Sequence, residues 1–85
     1  MSSKHSLSSR GRATLVKARK GAGLTQVKLA GELEVDPVTV SRWERGEVGP
    51  NKWLWRALVE RFPVMRPFAP EGVLQPIAVE TPTGT

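Results

Sequence analysis

Apolar positions along the chain fall into four short helical registers separated by polar or glycine-bearing breaks. Between about Arg12 and Lys20, the spacing of Ala13, Leu15, Val16 and Ala18 predicts a first amphipathic helix, ended by Gly21 and Gly23. Leu29, Ala30 and Leu33 form the buried stripe of a second helix predicted over Gln26 to Leu33. Thr25 is its N-cap, and Lys28 stands where a capping-box glutamate would sit, so the cap is single. A fourth helix is predicted from the Asn51 cap to about Phe62, and it carries two apolar stripes. Trp53, Leu54, Ala57 and Leu58 make a face suited to the core, while Trp55, Val59 and Phe62 make a second one beside it. A surface helix needs only one such stripe, so the second must be covered.

The third register, Asp36 to Gly46, is the most completely specified. Asp36 can cap the first N–H groups, Pro37 suits the first helical position, and Gly46 can adopt the left-handed conformation just past the end. At roughly 100° per residue, Val38, Ser41, Arg42 and Arg45 share one side and Val40 and Trp43 the other. So short a helix is not stable alone, and Val40 and Trp43 must anchor it in a core. The connection through Glu34 and Val35 is too short for antiparallel packing and makes the second and third helices cross sharply.

Composition narrows the choices. A chain of 85 residues supports one small domain, and with no cysteine it has no disulfide or thiolate metal site to supplement the core. No apolar run approaches membrane-spanning length, and residues 1–11 lack the apolar centre of a secretory signal; the expected location is cytoplasmic. The net charge is +5, and residues 1–28 hold Lys4, Arg10, Arg12, Lys17, Arg19, Lys20 and Lys28 with no acidic residue. From Pro63 onward Arg66 stands against Glu71 and Glu80, so the positive excess lies in residues 1–62. That distribution suits a polyanionic partner, with a solvated basic surface as the plainer alternative. Enzymatic chemistry is not expected. The one histidine, His5, has no candidate partners nearby, and neither a phosphate-cradling glycine loop nor a placed carboxylate pair is present. No cofactor is expected.

Residues 1–11 are serine-rich and without period, and are expected to form a disordered basic arm or a frayed terminus. Residues 63–85 contain five of the seven prolines, which excludes a regular helix and predicts an extended tail. That tail still carries Val64, Met65, Phe68, Val73, Leu74, Ile77 and Val79, too many apolar residues for a linker. Either it folds back over Trp55, Val59 and Phe62, or those residues pair two subunits with the tail helping, with a short strand from Val73 to Val79 as one form. A homodimer is the preferred expectation.

Gln26 through Arg45 resembles the helix-turn-helix of the lambda-repressor-like family, which includes phage Cro and repressor proteins. The resemblance extends upstream through Leu15 to Thr25 and downstream through Gly46 to Pro50, with Leu29, Ala30, Leu33, Val35, Val40, Trp43 and Gly46 in register. It implies an all-α fold: a small four-helix DNA-binding domain over residues 12–62, followed by the Pro-rich tail of residues 63–85. One departure is Glu34, where the family usually has glycine at positive φ; a side chain there costs about 1 kcal/mol or is avoided by a looser turn.

The resemblance puts the outward face of helix 36–45 in the major groove of double-stranded DNA. Arg42 is then the first candidate for a base, since its fork matches the O6 and N7 acceptors of guanine. Pro37 and Val38 cannot donate and are expected to pack on thymine methyls, and Ser41 completes the base-facing set. Gln26, Lys28, Thr39, Arg45, Asn51 and Lys52 are expected at phosphates, with Arg12 a weaker candidate. Arg19 and Glu44 match positions of a structural ion pair between the first and third helices. The function implied is a transcriptional regulator, as a repressor on a symmetric operator. The alternative is an antitoxin or other interaction protein that autoregulates its operon and binds a protein partner through the tail.

Overall fold

The computed structural model describes residues 6–74. Four α-helices follow one another, α1 (Ser9–Gly21), α2 (Gln26–Leu33), α3 (Pro37–Arg45) and α4 (Lys52–Arg61), and a 3₁₀ helix (Pro63–Phe68) closes the order. Each α-helix has a side-chain N-cap, satisfying N–H groups that the first turn leaves without partners. Ser8 Oγ accepts from Gly11 N at 3.0 Å, Thr25 Oγ1 from Lys28 N at 3.0 Å, Asp36 Oδ1 from Val38 N at 2.9 Å and Asn51 Oδ1 from Leu54 N at 2.9 Å.

The Ser8 cap corrects one expectation. α1 begins at Ser9, three residues before the predicted start, so residues 9–11 are its first turn and not part of a disordered arm. Leu7 is buried in the core, and a Cβ added to Gly11 would fall 3.5 Å from Phe68 Cβ. The start of α1 is therefore packed against the 3₁₀ helix. The expectations for Lys4 and His5, and for a strand reaching Val79, lie wholly or partly outside the described residues.

α2 ends as the turn requires even without glycine. Glu34 takes φ 60° and ψ 42°, with Val35 N bonding Ala30 O at 2.9 Å and Glu34 N bonding Gly31 O at 3.2 Å. The chain accepts the left-handed strain in place of loosening the turn, because those bonds serve carbonyls that the helix end leaves open.

The core draws on every element. Leu15, Leu29, Ala30, Val40, Trp43, Leu58 and Met65 are almost wholly excluded from solvent, joined by Leu7, Trp55, Val59 and Phe62. Here the buried face of α4 is the second stripe together with Leu58 of the first. Trp53, assigned to the core face, is 66% exposed, whereas Trp55 is 3% exposed. Leu54 and Ala57 are only half-buried. The buried set Trp55, Leu58, Val59 and Phe62 has the spacing i, i+3, i+4, i+7, and the 3₁₀ helix brings Met65 into the same cluster while Phe68, Val73 and Leu74 lie against it. Trp55, Val59 and Phe62 are thus covered within one chain. The tail is also less extended than expected: Pro63 opens the 3₁₀ helix and Pro67 sits inside it, since an i→i+3 turn tolerates what an α-helix would not. Val73 and Leu74 lie in a turn.

Candidate nucleic-acid interface

α3 is held from behind by Val40 and Trp43, which are 0% and 1% exposed. Its inner edge is tied by an ion pair. Arg19 Nε and Nη2 donate to the two carboxylate oxygens of Glu44 at 2.6 and 3.1 Å, with side-chain exposures of 9% and 7%. Arg19 Nη1 also donates to Leu24 O at 2.8 Å, and Gln26 Nε2 donates to Glu44 Oε1 at 2.9 Å. One carboxylate therefore fixes α1, the start of α2 and the recognition-type helix α3 in a common frame, and such a bidentate pair is geometrically exacting. Gln26 is half-buried, and its amide donates one hydrogen bond to this frame.

With that edge locked, the opposite edge faces solvent. Pro37, Val38, Arg42 and Arg45 are exposed, while Thr39 and Ser41 are half-buried. Val38 is 54% exposed at the first turn, an apolar group facing solvent. Ser41 Oγ accepts from Arg45 Nη1, so the hydroxyl and the arginine, assigned separately to base and phosphate, form one unit. Asn51 caps α4 through Oδ1, which leaves its amide nitrogen as a donor beside exposed Lys52. Lys28 is exposed in the first turn of α2. Trp55, Val59 and Phe62 belong to the core and have no part in this surface.

Two residues from outside α3, Arg12 of α1 and Glu47 of the following loop, close over its C-terminal end. Arg12, expected as a weak phosphate candidate, donates through Nη1 to Arg45 O at 3.2 Å and through Nη2 to Ser9 Oγ at 3.1 Å. Its guanidinium covers Gly46, where an added Cβ would lie 2.8 Å from Nη1 and push the guanidinium aside, and the φ of 79° favours glycine. Placing a cation against the last carbonyls of α3 also favours the helix dipole.

The second is Glu47. Gly46 turns the chain so that Glu47 N bonds Arg42 O at 3.0 Å. The Glu47 carboxylate then accepts from Arg45 Nε at 2.8 Å and lies 3.8 Å from Arg42 Nε. The hydrogen bond from Arg45 holds the Glu47 carboxyl below the usual glutamate range, with further Coulomb attraction from Arg45 and Arg42; the same bond raises Arg45. A signal for this was present in the glycine stop, because a left-handed residue after a helix sends the next one back over its last turn.

Two crossed helices, the second presenting a partly cationic outer edge, define a helix-turn-helix protein. A helix-turn-helix family model matches residues 15–64, more than half the chain, and the chain belongs to that XRE-type, lambda-repressor-like family of DNA-binding transcription regulators. Among curated proteins and solved structures nothing matches it. No helix among the described residues is long and apolar enough to cross a membrane.

Proposed function

We propose that the chain is a repressor that binds a symmetric operator as a homodimer, laying the outer edge of α3 in the major groove. The observation carrying this reading is the division of α3: Val40, Trp43 and Glu44 are committed to the fold, whereas Pro37, Val38, Arg42 and Arg45 are not. Arg42 addresses a guanine, and Pro37 and Val38 pack on neighbouring thymine methyls, with Ser41 beside them. Gln26, Lys28, Thr39, Asn51 and Lys52 serve the backbone, joined by Arg45 once Glu47 releases it. A helix with one bidentate reader supplies about 1–3 kcal/mol of discrimination, while specific regulators exceed their non-specific binding by about 4–10 kcal/mol. Two copies on half-sites about one helical turn apart double that contribution and bring it into the lower part of this range.

The dimer uses a surface other than the stripe Trp55, Val59 and Phe62, which the chain covers itself. Trp53, 66% exposed, is the largest apolar side chain left outside. Among the described residues of the tail, Met65 is buried and Phe68, Val73 and Leu74 lie against the core, so these side chains do not favour capture of a protein partner. Selection of bound duplexes from a random pool tests the proposal. A two-fold symmetric consensus with guanine in each half is expected, together with a dimer mass in sedimentation; an asymmetric consensus bound by a monomer removes the homodimer, and no enrichment removes the sequence-specific reading.

A further inference from the structure

We propose that Glu47 is a specificity-determining residue that competes with DNA phosphates for Arg42 and Arg45. The inference rests on the major-groove reading above. One carboxylate oxygen is 2.8 Å from Arg45 Nε and the other 3.8 Å from Arg42 Nε, so a single side chain addresses both exposed arginines of the reading helix. Among the described residues no other acidic side chain forms an ion pair with either of them. The carboxylate is also positioned by the backbone, since the bond from Glu47 N to Arg42 O and the left-handed Gly46 fix where the side chain begins.

The consequence for DNA follows from what an arginine releases on binding. Non-specific affinity comes from cations that displace condensed counterions at phosphates. Arg45, already neutralised by Glu47, gains little from a phosphate unless the carboxylate is pushed aside, and the carboxylate itself is repelled by the backbone. A guanine edge is different, because O6 and N7 are neutral acceptors. Glu47 approaches Arg42 at Nε, leaving Nη1 and Nη2 as the two donors that match them. On arbitrary duplex both Arg42 and Arg45 meet phosphates, whereas at the cognate site only Arg45 does, so Glu47 depresses the first more than the second, and the ratio of the two is what specificity means.

The test compares Glu47→Gln with Glu60→Gln, which makes the same charge change on the exposed surface of α4. Both are titrated with a random-sequence duplex and with the selected operator at about 50 to 200 mM KCl. Glu47→Gln is expected to bind random duplex about five- to tenfold more tightly near 0.1 M salt, with a salt slope steeper by close to one, and to gain less on the operator. Glu60→Gln is expected to change both affinities by about twofold or less. Equal gains in the two variants, or none for Glu47→Gln, overturn the role of Glu47 and leave the DNA reading standing. If the unaltered protein shows no salt-dependent duplex binding, the DNA reading fails and this inference with it.

Discussion

The inner and outer edges of α3 each carry a glutamate against an arginine at nearly the same separation, 2.6 Å for Arg19–Glu44 and 2.8 Å for Arg45–Glu47. Their surroundings differ. The inner side chains are 9% and 7% exposed, the outer ones 53% and 49%. Away from water, a charge left without its partner is costly, so the inner pair acts as a fixed strut whose loss strains the whole helix arrangement. In water the same two groups exchange their partner for solvent at little cost to the fold, so the outer pair is not a strut. Distance alone says nothing about which role a pair plays; burial decides it.

The largest effect should come from the inner edge. Glu44→Ala is expected to destabilise the fold by about 3–5 kcal/mol, because Arg19 keeps a buried charge, and denaturant unfolding measures it. Replacing Arg19 and Glu44 together by apolar residues should cost much less than the two single losses combined. The comparison is broken if Glu47→Ala shifts the unfolding midpoint as far as Glu44→Ala does.

Next in size, Arg42→Ala should weaken the selected operator by about 1–3 kcal/mol in titrations while leaving the unfolding midpoint in place. Equal losses on operator and random duplex would move Arg42 to the phosphate class. A smaller effect is expected from salt. At about 1 M, where the Debye length is near 3 Å, nitrogen-15 spectra of the arginine side chains should show the Arg45 Nε–H exchanging with solvent and the Arg19 Nε–H still protected. Loss of protection at both would mean that burial does not separate the pairs.

The smallest expected effect is in the titration of Glu47. Its folded-state pKa is depressed by Arg45, so the pair contributes above the unfolded glutamate value and its contribution is lost as pH falls through the lower folded value. Carbon-13 titration should place the Glu47 midpoint below that of an ordinary glutamate, and Arg45→Ala should return it there.

The backbone plan was readable residue by residue. Thr25, Asp36, Asn51 and Gly46 announce helix ends through local hydrogen bonding and φ preference, and the helices between them follow from apolar spacing. The start of α1 is hidden in the sequence because Ser8 caps it ahead of any apolar period, and a serine-rich start looks like a frayed end. The outward set on α3 was legible for the same local reason, since Val40 and Trp43 define the opposite side. Arg19 and Glu44 are 25 residues apart, and only the family resemblance suggests their pairing. Glu47 was missed because its importance comes from the reversal at Gly46, which a helical wheel does not represent.

Helix positions and ends, and the division of α3 into two faces, lie within the chain's own pattern, because each depends on residues within about a turn of one another. Which stripe of α4 is buried does not. Both Trp53 and Trp55 satisfy helical spacing, and the choice falls to Trp55, which joins one core cluster with Met65 of the 3₁₀ helix packed against α4. The same holds for the two ion pairs on α3. Sequence supplies an arginine and a glutamate for each, and only the packed structure removes water from one pair and leaves it on the other.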